Sequence, residues 1–260
     1  MQKKILIIGG TGFIGYHLAS RCKKLNWKIV SVSTKKPIKK RRLKKVRYKI
    51  FDISIKKNLA NIAKYKYDYV VNLGGYVDHI NKVKTYRAHY LGAKNLFKVF
   101  KNKKLESFIQ IGSSMEYGTK KSPHRENVIG NPKGVYAKSK FLASKFLIEC
   151  YKKYKFPVTV IRFYQLFGPN QDTNRFIPIL INACLNKKEF ATSSGVQSRD
   201  FLYVDDAINA IIKCIQSKNS KILKERDSKA FERKCLARLE AAQKKIDENQ
   251  PPDLYLLLKS

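Results

Sequence analysis

Ile5-Leu6-Ile7-Ile8-Gly9-Gly10-Thr11-Gly12-Phe13-Ile14-Gly15 decides how the chain is read. The four leading apolar residues are too few for a helix and suit a strand buried on both faces. From Phe13 to Leu25, apolar Phe13, Ile14, Leu18, Cys22 and Leu25 recur at helical spacing. Strand, glycine turn and helix make the first half of a βαβ unit of the dinucleotide-binding kind. In such a unit Gly9 permits the tight turn and Gly12 lets backbone approach a pyrophosphate. Gly15 lets helix and strand pack closely, and the helix N-terminus offers N–H groups to the phosphates. Gly9, Thr11, Gly12, Phe13, Ile14 and Gly15 are therefore candidate cofactor contacts.

Composition sets the outer bounds. At 260 residues and 43% hydrophobic content the chain can bury a substantial core in one α/β domain with a smaller lobe. No run approaches the roughly 20 apolar residues of a membrane span. Met1 to Ile8 looks like a signal peptide only superficially, because its apolar run is short and leads into the glycine turn. Five scattered cysteines form no CxxC pair, which points to a reducing, cytoplasmic setting. The net charge of +36 raises a nucleic-acid or membrane-surface partner. Lysine outnumbers arginine throughout the chain, so a general basic background is favoured over a specific polyanion site. The densest run, Lys35 to Lys49, has no acidic residue and is expected to be a solvated loop.

Further strands are expected at 28–32, 47–51, 69–73, 107–111 and 158–163, with helices at 93–100 and 136–151. That alternation predicts a doubly wound parallel sheet, Rossmann-like, with ligands at the carboxyl ends of its strands. Gly9, Asp52, Leu73, Gly74, Gly75 and Ser113 fall at those ends. After the second strand, where an acidic residue often binds ribose hydroxyls, stand Ser33, Thr34 and Lys35. Small hydroxyls and lysines accept a 2′-phosphate that a carboxylate would repel, which favours NADP over NAD.

Tyr136-Ala137-Lys138-Ser139-Lys140 carries the chemistry. Residues four apart share a helix face, so Tyr136 and Lys140 point the same way. A free tyrosine, with a pKa of about 10, is a poor base at neutral pH, and a neighbouring ammonium lowers that value. Ser113, at a strand end, can hydrogen-bond the same substrate oxygen. No metal site is expected.

With GGTGFIG at 9–15, FDI at 51–53, NLGG at 72–75, SSMEYG at 113–118, YAKSK at 136–140, RFYQLFGP at 162–169 and SRDFLYVDD at 198–206, the chain resembles a known group. It is similar to the extended short-chain dehydrogenase/reductases of the NAD-dependent epimerase/dehydratase family, most of which act on nucleotide-linked sugars. The resemblance implies Ser113, Tyr136 and Lys140 as the catalytic triad, Tyr136 and Lys140 as cofactor contacts too, and Arg199 on the substrate diphosphate. It also implies Asp52 and Ile53 beside the adenine, and Ser114 and Gln165 at the sugar. The family's 4,6-dehydratases carry an acidic pair where Ser114 and Met115 stand, so dehydration is disfavoured. Glu116, offset by one residue, is expected to point to the opposite side of an extended segment. Gln165 replaces a common asparagine and lengthens that arm.

These readings give a Rossmann domain over 1–165, a partial substrate lobe over 166–220 and a charged tail over 221–260. In the tail, Phe231, Cys235, Leu239, Ala242 and Ile246 recur at helical spacing before Pro251-Pro252. The function expected is NAD(P)-dependent hydride transfer at a carbon of a nucleotide sugar, as a 4-keto reductase or an epimerase, and a homodimer is compatible with it. The alternative is a non-catalytic dinucleotide-binding protein with a basic, polyanion-binding surface.

Overall fold

The computed structural model of the chain describes residues 2–76, 80–192, 194 and 199–217. The segment from 221 onward, with its expected helix, lies outside the described residues. Six parallel strands form the main sheet: β1 (Lys4–Ile8), β2 (Lys28–Ser33), β3 (Val46–Ile50), β4 (Tyr69–Asn72), β5 (Ser107–Ile111) and β6 (Val158–Ile161). Their spatial order is β3-β2-β1-β4-β5-β6, so the strand order reverses on either side of β1, as the doubly wound reading requires.

Both faces of this sheet are covered, which explains the unbroken apolar runs. Leu6 and Ile8 of β1 join a core with Val30, Val32, Val70, Phe108 and Val160. On that side pack Leu96, Phe97 and Phe100 of α4 (Gly92–Phe100), and Ala143 and Leu147 of α5 (Gly134–Tyr154). Ile5 and Ile7, which alternate with them, are just as buried. Against β1 and β2 packs α1 (Phe13–Lys24), burying Leu18, Ala19 and Cys22. Short α2 (Ala60–Ala63) follows β3.

Two segments differ from expectation. The run 35–49 is only partly loop: Lys39–Arg41 form a 3₁₀ turn with Arg41 buried, and Val46 onward pairs in β3 with β2. The helix expected at 93–100 begins earlier. It starts as α3 (Lys82–Tyr86), capped by the Asn81 side chain, and passes through a π-helical turn (Arg87–Leu91) into α4.

The chain divides into two compact units. The first holds, among the described residues, those up to Phe163 together with 208–217. The second, from Tyr164 to Ala207 among the described residues, contains β7 (Gln165–Phe167) paired in parallel with β8 (Phe201–Tyr203). Its helix α6 (Phe176–Leu185) and the start of α7 (Val204–Gln216) complete it. Phe167, Ile177 and Tyr203 are its small core.

Candidate functional site

The glycine turn is shaped by backbone contact. Gly9 has φ +77°, and a Cβ there would stand 2.9 Å from the Leu73 carbonyl oxygen. A Cβ on Gly15 would stand 2.3 Å from the Gly9 oxygen, so the fold itself demands both glycines. Gly12 is different: the one contact a Cβ would meet there is the Gly9 oxygen, at 3.3 Å. It caps α1 without a side-chain hydrogen bond, and the first turn, with Phe13 and Ile14, carries no acidic residue. The helix therefore presents its N–H groups and positive end to an anion.

Neighbouring strand ends converge on this turn. Gly9 donates to Val32 at 2.7 Å, Leu73 donates to Ile8 at 3.0 Å, and the Thr11 N–H donates to Ser33 Oγ at 3.2 Å. Gly74 donates to Asn72 Oδ1 at 3.1 Å. A Cβ on Gly75 would strike the His89 ring. Thr34 and Lys35 follow β2 and are exposed. Asp52 accepts from the Ser54 N–H at 2.7 Å, and buried Ile53 lies against the bare Cα of Gly92. Asn95 fixes that corner by donating to the Ile53 and Ser54 carbonyls.

A second cluster forms where β5 ends. Ser113 caps a 3₁₀ turn, Ser114–Tyr117: its Oγ accepts from Met115 N at 3.2 Å, while Glu116 Oε1 accepts from Ser113 N at 2.9 Å. From α5, the Lys140 ammonium donates to the Ile111 carbonyl at 2.8 Å. Burial pushes the Lys140 pKa down to about 8, and the Glu116 carboxylate pulls the other way. Tyr136, one helical turn earlier, meets His89 edge-on with ring centroids 5.1 Å apart.

The structure therefore brings Ser113 and Lys140 together around the end of β5, with Tyr136 on the Lys140 helix. Gln165 and Arg199 belong to the second unit. There Gln165 opens β7, its N–H donating to the Asp200 carbonyl at 3.2 Å, and Arg199 is exposed. Glu116 departs from expectation. Its segment is a 3₁₀ turn rather than extended, so the carboxylate folds back to Ser113 N and to Arg162 Nε, 2.9 Å away. The Ser113-x-x-Glu116 spacing is itself a capping-box signature, and it was the available signal. His89 had no such signal, because it sits in the π-helical turn, where ordinary helical spacing does not hold. Among the described residues no group of three His, Cys, Asp or Glu could hold a metal ion, and no helix is long and apolar enough to cross a membrane.

Fold and site define a short-chain dehydrogenase/reductase of the extended type. The chain belongs to the NAD-dependent epimerase/dehydratase family, whose model matches residues 5–226. It is 31% identical over 236 residues to the dTDP-D-glucose 4,6-dehydratase of Dictyostelium discoideum, covering 80% of this chain and 54% of that protein. The chain thus spans about half the length of this relative. In fold it is similar to the UDP-glucose 4-epimerase of Thermotoga maritima, whose crystal structure contains UDP-glucose. That match has a TM-score of 0.76 at 20% identity and covers 82% of this chain and 73% of the other. The UDP-glucuronic acid 4-epimerase of Bacillus cereus, in complex with UDP-glucuronic acid and NAD, matches with a TM-score of 0.72 at 23% identity, covering 84% and 75%. Relatives of both reaction types occur, so the comparisons do not support excluding dehydration.

Proposed function

We propose that the chain is an NAD(P)-dependent enzyme acting by hydride transfer at a carbon of a nucleotide-linked sugar, as an epimerase or a 4-keto reductase. The observation that carries this reading is the Lys140 ammonium. It is buried on the helix that bears Tyr136, and it donates to the carbonyl of Ile111, two residues before Ser113 in the chain. A buried cation with a depressed pKa at such a place is expensive unless it serves the site.

The residues present fit a dinucleotide. Gly12 leaves its side open before the uncapped start of α1, where a pyrophosphate would lie against N–H groups. Gly74 and Gly75 leave a second bare backbone stretch after β4, and Asp52 and Ile53 border the expected adenine position. When bound, the cofactor supplies a hydride acceptor or donor. Tyr136 then moves the proton at the sugar oxygen as general base or acid, and Ser113 holds that oxygen with its hydroxyl. The Lys140 charge would support a Tyr136 phenolate, and Lys140 is assigned to the nicotinamide ribose of a bound cofactor. Ser114, Gln165 and Arg199 are assigned to the substrate, with Arg199 supplied by a lobe over 166–220. Ser33, Thr34 and Lys35 favour NADP, and the homodimer remains part of this reading.

Met115, 56% exposed, stands where a dehydratase places a carboxylic acid, and a thioether transfers no proton. This supports the epimerase or reductase over the dehydratase. The charge of +36 favours one further reading, a polyanion-binding protein that uses the cofactor fold as scaffold. One experiment separates the three. The chain is incubated with NAD(H) and NADP(H) and a panel of UDP- and dTDP-hexoses and their 4-keto derivatives, and products are identified by mass and NMR. A C4 epimer or a reduced 4-keto sugar supports the proposal, a 4-keto-6-deoxy product makes it a dehydratase, and no turnover favours the scaffold.

A further inference from the structure

The Glu116 carboxylate is fully buried and doubly engaged. Oε1 accepts from the Ser113 backbone N–H at 2.9 Å, and Oε2 accepts from Arg162 Nε at 2.9 Å. Its partner is clamped in turn, since the Arg162 guanidinium lies over the Tyr117 ring at 4.9 Å and donates to the Glu126 carbonyl at 3.4 Å. Gly112 has no side chain because a Cβ would stand 2.4 Å from Glu116 Oε1. Gly130 is equally constrained, as a Cβ there would overlap the Glu116 carbonyl. A hydrogen bond from a backbone N–H to a carboxylate is about twice as strong as one to a neutral acceptor.

We infer that Glu116 is a positioning residue that locks the Ser113 backbone through an Arg162-anchored clamp, and that it transfers no proton in the reaction. The inference rests on the reading of Ser113 as the group that holds the substrate oxygen. With both carboxylate oxygens committed to Ser113 and Arg162, the side chain is tied to the protein. The Ser113 hydroxyl is the part of the assembly with a donor to offer, since its Oγ is used here as an acceptor. The same carboxylate also favours the charged form of Lys140, so one buried acid supports two members of the triad.

Glu116→Gln keeps the shape and one acceptor and removes the charge. With UDP-glucose, dTDP-glucose and their 4-keto derivatives as probes, kcat should fall about tenfold, the scale of a displaced catalytic group, with KM unchanged within about twofold. Both limbs of the pH–rate profile should persist. In a Ser113→Ala background the same change should cost less than about twofold, because a clamp acting through Ser113 has nothing left to place. A loss of about 10² or more with one pH limb erased would make Glu116 a proton-transfer group and overturn the inference. Equal losses in both backgrounds would overturn it too, as a general packing defect. Removing one partner of a buried pair leaves the other charge uncompensated, so Glu116→Gln/Arg162→Met serves if the single variant does not fold. If the wild type turns over none of these sugars or 4-keto sugars, the proposed function fails separately. The clamp is then read from the Ser113 amide proton by NMR in the NADH-treated protein. A downfield resonance that moves upfield in Glu116→Gln supports it, and an unmoved one overturns it.

Discussion

The Lys140 ammonium donates to the carbonyl of Ile111 across 2.8 Å, tying the middle of α5 to the last residue of β5. This bond fixes how a buried cation meets the strand end from which Ser113 emerges, and its electrostatic consequences can be measured.

Stability should depend on pH through Lys140. Burial lowers its folded pKa to about 8 from an ordinary 10.5. Below pH 8 both folded and unfolded chains hold the proton, and the full cost of burying the charge is present. Between pH 8 and 10.5 the unfolded chain binds more protons than the folded one, so stability from this group rises with pH. The gain over that window is on the order of 3 kcal/mol. Urea unfolding of wild type and Lys140→Met at pH 7 and pH 10 checks it. The difference between them should shift in favour of wild type at the higher pH, and a pH-independent difference would contradict it.

The three glycines of the turn should separate folding from binding. Gly9→Ala forces a side chain into a left-handed backbone against Leu73, and should cost about 1–3 kcal/mol of stability. Gly15→Ala should also destabilise, since its Cβ would run into the Gly9 carbonyl. Gly12→Ala meets one backbone oxygen at 3.3 Å, a milder clash, so its melting temperature should fall less than that of either other variant. NADH affinity, followed by fluorescence titration, should nevertheless drop about tenfold or more, because the methyl group occupies the phosphate approach.

Cofactor choice is tested at the end of β2. Ser33 Oγ already accepts from Thr11, which leaves exposed Thr34, Lys35 and Lys36 to meet a 2′-phosphate. Lys35→Gln/Lys36→Gln should weaken NADP binding by about tenfold and NAD binding by less than about twofold. Isothermal titration with both cofactors distinguishes this from an equal loss, which would reject the 2′-phosphate role.

The chain from Lys221 onward is expected to be dispensable for cofactor binding. A chain ended at Ser217 retains the glycine turn, Asp52 and α5, and should bind NADH within about threefold of the full chain. Loss of binding in a folded truncation would make the tail part of the site.

How far the sequence could be read depended on how local the physics was. β1 and its glycine turn were legible because a short apolar run and a glycine triplet impose their structure within a few residues. Tyr136 and Lys140 were legible because helical spacing alone puts them on one face. Strand alternation sends Glu116 the wrong way, whereas the capping box at Ser113 coils the segment and turns the acid inward. Its partner Arg162 lies 46 residues away, beyond any local pattern. Arg41 was hidden for another reason: within a basic run its composition says exposed, yet a 3₁₀ turn buries it. His89 sits in a π-helical turn and meets Tyr136, 47 residues further along, a pairing no local spacing reveals.

The account stands most directly on Tyr136. Replacing it with phenylalanine removes one hydroxyl and keeps the ring that packs edge-on against His89, so the fold should be unchanged. The decisive measurement is turnover by Tyr136→Phe on whichever nucleotide sugar the wild type converts, with NADH affinity measured alongside. If Tyr136 transfers the proton, kcat falls by about 10² or more with affinity held within a few-fold. Near-wild-type turnover in that variant would contradict it.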